Sequence, residues 1–380
     1  MMTFNDSTNK INKLTSRRGF IRSAAGLVTG LCLPSYLSAS ELSTQEQENY
    51  KAAKYKMIFA SPYDTEQWQS SPHMHYQIKK NIESFSDGQI YVEIHDKGVL
   101  GVGTELMAKI ARGSIHSGLV SVSNLSPVAP VLDILNIPFW SSNNQDYLNL
   151  ITSNVWKKHV IETIQMQKKL DILFHYIPGA RTVTSTKMNG RTFRVPEDIQ
   201  DIIFRIPSSK ILRILYQLLG TSPVNVKWKD VSKSAQIGRI DAIDPSIVGL
   251  YNGPDNLKQH IGVVSQINSV QDGWINVVNQ SWFNALPLKL KHAVKDAANK
   301  TFIEHLESVQ STAMYCKQGL EQQGTKFYLP NESELALWKS VGDHHKPEWL
   351  TIKRKLLGHE RVFEDFYEAT QTNNGFFYGQ

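Results

Sequence analysis

Arg205 closes the apolar run Ile202-Ile203-Phe204 and is followed at once by Ile206-Pro207-Ser208-Ser209, where the amphipathic stretch Ile211-Leu212-Ile214-Leu215-Leu218-Leu219 begins. A strand ending in Arg-Ile-Pro ahead of a helix sets a fixed guanidinium beside the helix's unsatisfied first N–H groups, and both attract anions. The planar fork of arginine matches both oxygens of a carboxylate and stays charged in a desolvated cleft, which an ammonium does less reliably. Arg181 supplies a second guanidinium, although Thr182, Thr184, Ser185 and Lys187 around it equally describe a solvated strand edge. Asp244, one carboxylate ahead of Pro245, either orients such guanidiniums, accepts a ligand hydroxyl, or caps a turn.

Other chemistry is weakly represented. His73-x-His75 and His344-His345 invite a metal, but neither pair has a convincing third ligand nearby. Adjacent histidines point apart on a helix, and Pro72-His73-Met74-His75 has the form of a helix start. Surface or core roles are expected for all four, with no metal site. No Gly-x-Ser-x-Gly elbow, His-Glu-x-x-His helix, phosphate loop or cofactor motif occurs, so neither catalytic apparatus nor cofactor is expected.

The elements that must hold the two arginines follow from hydrophobic period. Tyr55 to Ala60 alternates as a strand, Glu66 to Phe85 has a helical pattern, and Ile90 to His95 alternates again. A short helix carrying Leu106 and Ile110 ends at Gly113, and the strand Ser117 to Val122 follows. This β-α-β-α-β order predicts an α/β sheet whose loops present a ligand site at one end. A second set spans Asp171 to Tyr176, Arg181 to Ser185 and Asp201 to Ile206 as strands, then helix Ile211 to Leu219. Extended Val224 to Val226, helix Val231 to Ile237 and a return strand at Arg239 to Ile243 complete it. From Leu286 onward the pattern is helical, with one long run through Glu321 and further helices from Glu332.

The chain has 380 residues and 41% hydrophobic content, enough for two ordinary domains. Its formal charge of +6 is uneven: residues 1–40 hold Lys10, Lys13, Arg17, Arg18 and Arg22 against Asp6, leaving 36 bases and 34 acids for the rest. No basic, aromatic-interleaved surface stands out there, so nucleic acid is not an expected partner. Ser16-Arg17-Arg18-Gly19-Phe20-Ile21-Arg22, the moderately apolar Ala24 to Leu33 and Ser38-Ala39-Ser40 have the form of a twin-arginine export signal over residues 1–40. Leu31 stands before Cys32 where lipidation expects a small residue, which favours release. If Cys32 leaves with the leader, Cys316 remains alone, excluding an internal disulfide and pointing to a packing role.

Several weak motifs recur in order: Ser86-Asp87-Gly88-Gln89-Ile90, Val99-Leu100-Gly101, Gly113-Ser114-Ile115, Ile137-Pro138-Phe139 and Pro196-Glu197-Asp198-Ile199. Arg205-Ile206-Pro207, Leu219-Gly220-Thr221-Ser222-Pro223-Val224 and Gly238-Arg239-Ile240-Asp241-Ala242 follow. By their order and spacing the chain, over roughly residues 54 to 340, resembles the solute-binding proteins of tripartite ATP-independent periplasmic (TRAP) transporters, of the dicarboxylate-binding (DctP) type. Two departures stand out. Asp201 replaces the family's usual glycine before the arginine strand, so a different turn is expected there. Asp244-Pro245 stands where many relatives have Glu-Trp or Glu-Asn, removing a possible hydrogen-bonding side chain.

The resemblance implies a two-lobed α/β fold like the periplasmic binding proteins, with mixed sheets, a cleft between lobes and a helical C-terminal region. Lobe 1 is expected over residues 54–178 plus about 270–310, lobe 2 over 179–269 plus about 311–340, and a C-terminal helical extension over 341–380. It implies a bidentate ligand contact from Arg205 and a second from Arg181. Trp228 aligns with the family's aromatic wall, its ring either covering the ligand's carbon chain or anchoring the core. Asn124, Tyr63, Gln271 and Trp274 fall where cleft loops are expected. The implied partners are a small organic acid and the membrane permease subunits of such a transporter, with the protein exported to the periplasm and the extension available for a homodimer. The hinge is expected near Phe139 and within 243 to 275. Two alternatives stay open: an exported enzyme that holds an acid with Arg181 and Arg205 while Asp244 acts as base, and a sensor subunit that hands the same acid to a receptor.

Overall fold

Alternation in the expected runs produces strands, and their pairing sorts them into two sheets. A computed structural model describes residues 43–64, 75–141, 143–373 and 375; the export signal, Cys32, His73 and most of the expected 66–85 helix before Tyr76 lie outside them. One compact unit begins at Glu48. Among the described residues the first sheet takes β1 (Tyr55–Ala60), β2 (Ile90–His95), β3 (Ser117–Ser121), β4 (Leu170–Tyr176) and β10 (Trp274–Asn279), in the order β2-β1-β3-β10-β4. The second takes β5 (Val183–Thr186), β6 (Ile203–Ile206), β7 (Ser222–Asn225), β8 (Ala242–Ile243), β9 (Ile261–Ser265) and β11 (Lys326–Tyr328), in the order β11-β9-β5-β8-β6-β7. Both are mixed: β1 runs parallel to β2 and β3 while β10 is antiparallel to β3 and β4, and β6 is parallel to β7 and β8 while β5 is antiparallel to β8 and β9.

The chain passes from the first sheet to the second between β4 and β5 and returns between β9 and β10, these two passages pairing as Ala180↔Gln271, and it crosses a third time through the helix Leu288–Gln322 to reach β11. The return passage falls within the expected 243 to 275, while Phe139 is not on a crossing, since it lies between β3 and β4, both strands of the first sheet. It touches the return passage instead, its N–H donating to the Ser269 carbonyl at 2.6 Å. The 177–182 passage carried no periodic signal of its own.

Each sheet buries both faces. Two apolar clusters, one around Leu106, Val120, Phe204 and Ile211 and one around Met57, Phe59, Val231 and Val294, each draw on both sheets. The 35-residue helix Leu288–Gln322 packs against the helix Tyr76–Phe85 and β4. Buried Cys316 sits on it with its thiol pushed up to about 12 by burial, in keeping with a packing role. The helices Glu332–Gly342, Leu350–Leu357 and Arg361–Thr370 follow, and Trp338, Trp349, Phe363 and Phe366 bury their rings within the chain's own core. Among the described residues no helix is long and apolar enough to cross a membrane.

Asp201 takes φ = 64°, the left-handed backbone that glycine adopts freely. Aspartate is one of the few other residues that tolerate it, so the turn before β6 forms without a glycine.

Candidate functional site

β6 fixes Arg205. Its backbone is paired on both sides, with Val224 of β7 and Ile243 of β8, so the side chain leaves a braced strand rather than a loop. The guanidinium is 3% exposed. Its Nε and Nη2 both donate to the Val226 carbonyl, at 3.1 and 3.0 Å, which uses one edge of the fork. The other edge, carrying Nη1, has Asp244 Oδ1 at 3.9 Å, beyond hydrogen-bond reach. The Trp228 ring centre lies 5.5 Å from Cζ, within cation–π range. Burial pulls the guanidinium down to about 10, against the pull of Asp244, so it remains charged at neutral pH.

Arg181 is engaged differently. Nη1 lies 3.1 Å from Asp244 Oδ2, and Nη2 donates to Asp272 Oδ1 at 2.7 Å and to Ser123 Oγ at 2.8 Å; only Nε lacks a partner. Burial would lower its pKa, but Asp272 and Asp244 outweigh that and raise it. Asp272 is completed by the Ser246 N–H at 3.1 Å and the Ser246 hydroxyl at 2.9 Å. Asp244 is fully buried, and burial holds its carboxyl above the usual range against the pull of both arginines.

A cavity of about 20 Å³ lies where these groups meet. Tyr63, Asn124 and Trp274 line it from the first sheet's side and Arg205 and Trp228 from the second's, with Arg181 and Asp272 on the two paired passages between sheets. The volume is room for about one water, far below the several hundred Å³ of an ordinary ligand pocket, so a ligand has to widen it. Tyr63 follows β1, Asn124 ends the turn after β3 and Trp274 opens β10. The hydroxyl of Tyr63 and the indole N–H groups of Trp228 and Trp274 are buried without a partner. The cavity adjoins a wider chamber lined by Gly103, Thr104, Asn225, Lys227 and Lys229, with Asn124 and Trp228 shared between the two.

Of the eight residues the sequence singles out, six line this cavity, and Asp244 is buried against its two arginines. Gln271 is the exception. It lines a separate cavity with Gln145, Gly179, Gln266 and Asn268, because successive residues in an extended segment face opposite ways. The same alternation reveals what the sequence reading missed: Asp272 shares a face with Trp274, two positions on, and the period-two pattern was the signal available.

Two expectations are corrected. The N-terminus of the helix Lys210–Leu218 is not open to a ligand. Asp133, from the turn Pro130–Asn136, accepts from Ser209 Oγ at 2.6 Å and from the Lys210 and Ile211 N–H groups at 3.1 and 3.3 Å. That carboxylate already fills the role an anion would have there. His344 and His345 lie in the turn after Glu332–Gly342 rather than on a helix, with ring centres 3.8 Å apart and Asp343 beside them. The His344 Nδ1 is 3.1 Å from the Phe139 carbonyl, which only accepts, so that nitrogen carries its proton and is not a metal ligand. His75, 2% exposed and hydrogen-bonded to Ser61, is a core histidine.

Residues 66–349 match the family described as bacterial extracellular solute-binding protein, family 7 (DctP). The chain belongs to this family. Among curated relatives of this DctP chain, a solute-binding protein of Roseobacter denitrificans is 22% identical over 219 residues, 58% of this chain and 65% of that one, just under two thirds of its length. The ectoine-binding periplasmic protein TeaA of Halomonas elongata is 22% identical over 249 residues, 62% of this chain and 68% of that one. A TRAP periplasmic solute-binding protein of Shewanella oneidensis, solved with bound succinate, superposes with a TM-score of 0.75 at 16% identity, covering 84% of this chain and all of that one. The two-lobed mixed α/β architecture of the DctP chain is that of such proteins.

Proposed function

We propose that this chain is the extracytoplasmic solute-binding subunit of a TRAP transporter, which captures a small organic acid by its carboxylate and presents it to the membrane permease. One observation carries the reading. Val226 anchors one edge of the Arg205 fork while the Nη1 edge is left to the cavity. An oriented, charged guanidinium in a nearly dry cavity is what bidentate carboxylate recognition requires. Succinate in the Shewanella protein and ectoine in TeaA both carry carboxylates. Sheet membership supports lobe 1 as 54–178 plus about 270–310 and lobe 2 as 179–269 plus about 311–340. The cleft opens and closes by bending at the paired passages around Ala180 and Gln271. Arg17-Arg18 supports export by the twin-arginine route. The extension from residue 341 spends its apolar rings on its own chain, which favours an intramolecular role over a dimer contact.

A catalytic role for Asp244 is not favoured, because its carboxyl lies between two arginines and is not a wall of the cavity. The test is a thermal-shift panel of mono- and dicarboxylates, oxo acids and sugar acids, run on wild type and Arg205→Ala. Stabilisation by an acid that disappears in the variant supports the reading; a hit that survives undiminished refutes it, and turnover of the acid would restore the enzyme reading.

A further inference from the structure

The charged side chains gathered at the cavity are Arg181, Arg205, Asp244 and Asp272, each at most 4% exposed, and they sum to zero. A bare monocarboxylate docking on Arg205 would leave one uncompensated negative charge where little water reaches, and an unpaired buried charge is strongly unfavourable. The missing positive charge comes from Lys227 or Lys229 of the adjoining chamber, enters with the ligand, or is taken from solvent.

Three walls of the cavity are aromatic. Tyr63 and Trp274 have ring centres 5.0 Å apart at a 52° tilt, and Trp228 stands 6.3 Å from Tyr63. Aromatic faces attract cations most strongly when desolvated, and Trp228 already carries the Arg205 guanidinium. The Asp272 carboxylate lines the same space, yet Arg181 and both donors of Ser246 already occupy its oxygens. That leaves electrostatic attraction for a cation with little acceptor capacity for its N–H groups. Such a site suits a positive charge without N–H donors.

We propose that the ligand is a zwitterion whose carboxylate takes the Nη1 edge of Arg205 and whose methylated ammonium group sits among Tyr63, Trp274 and Asp272. The inference rests on the carboxylate-capture reading above and narrows it to a substrate class, N-methylated amino acids of the betaine type, for which the four buried charges and the ligand's own two all balance.

An isosteric pair tests it directly. Glycine betaine and 3,3-dimethylbutanoate have the same shape and differ by one nuclear charge, so calorimetric titration of the purified chain with each isolates the cation. Glycine, succinate and D-glucuronate complete the set. The expected result is betaine binding at least about tenfold tighter than its isostere, with the ratio shrinking in Trp274→Leu; the wild-type ratio decides the matter even if that variant folds poorly. Binding of 3,3-dimethylbutanoate, succinate or D-glucuronate as tightly as betaine, lost in Arg205→Ala, overturns the zwitterion and leaves carboxylate capture standing. Proton uptake accompanying such binding, measured in buffers of different ionisation enthalpy, would assign the compensating charge to Asp244 instead. Glycine binding tighter than betaine overturns the methylated cation, and binding of none of the five counts against both the inference and the reading beneath it.

Discussion

Arg205 and Asp244 approach to 3.9 Å, close enough for their charges to interact and too far for a hydrogen bond, whereas Arg181 reaches the same carboxylate at 3.1 Å. The two arginines therefore divide the work. Arg181 ties Ser123, Asp272 and Asp244 together across the two sheets, and Arg205 keeps an edge of its fork for something else.

This division predicts different losses. Arg205→Lys removes the fork and the double bond to Val226, so acid binding is expected to weaken by roughly 2–5 kcal/mol, read by titration calorimetry. Arg181→Lys breaks contacts to two buried carboxylates at once, so the dominant effect is on folding, roughly 3–5 kcal/mol in chemical denaturation. The reverse pattern would exchange their roles.

Asp133 caps the helix that follows the arginine strand. Asp133→Ala leaves the Ser209 hydroxyl and the Ile211 N–H without their acceptor and the Lys210 N–H with Ser126 Oγ alone. A loss of roughly 1–3 kcal/mol is expected in urea denaturation. An unchanged midpoint would show that the capping carboxylate contributes nothing net.

Gly273 sits where the return passage meets the helix Asn144–Ile151: a Cβ there would lie 2.1 Å from the Tyr147 hydroxyl oxygen. Gly273→Ala is expected to lower the melting temperature by several degrees, and Tyr147→Phe in the same chain to recover part of it. Additive losses in the double variant would mean the clash is relieved elsewhere.

Acid should destabilise the fold through its buried histidines. Burial pushes His75 and His116 down to about 4 and His175 to about 3, so the folded state holds them neutral. The unfolded chain binds protons first as pH falls below the ordinary imidazole value of 6.5. Their contribution is full above that value and is lost progressively towards the folded-state values. Asp244, raised by burial, works in the opposite sense as pH falls through its raised value. Melting temperature followed from pH 7 to 4 should fall, and His175→Gln should flatten the decline; a flat wild-type profile would contradict it.

Asp201 keeps a left-handed turn at φ = 64°. Asp201→Gly relieves that backbone at the expense of unfolded-state entropy, so a gain of at most about 1 kcal/mol is expected by thermal denaturation. A clear loss would mean that the side chain itself holds the turn.

Much of the fold was legible locally. Period-two runs marked β1, β2 and β4 within a residue, the 3.6-residue period marked the helices Lys210–Leu218 and Leu288–Gln322, and Gly238 closed its short helix in the left-handed region. The arginine strand was visible from its residue types and neighbours alone, whereas Trp228 came from the family resemblance and Tyr63 and Trp274 from their places beside strands.

Charge compensation was not visible, because it joins residues far apart in the chain. Asp133 claims a helix N-terminus 77 positions away and Asp272 claims Arg181 from 91 away, and no local pattern encodes such pairings. Chain periodicity sets which face of each element turns inward, since burying apolar surface rewards that choice at once. Which buried charge is satisfied and which is left open depends on where distant segments meet, so it was the tertiary packing that left Arg205 with an edge to spare, filled the helix N-terminus, and turned Gln271 away while Asp272 faced in.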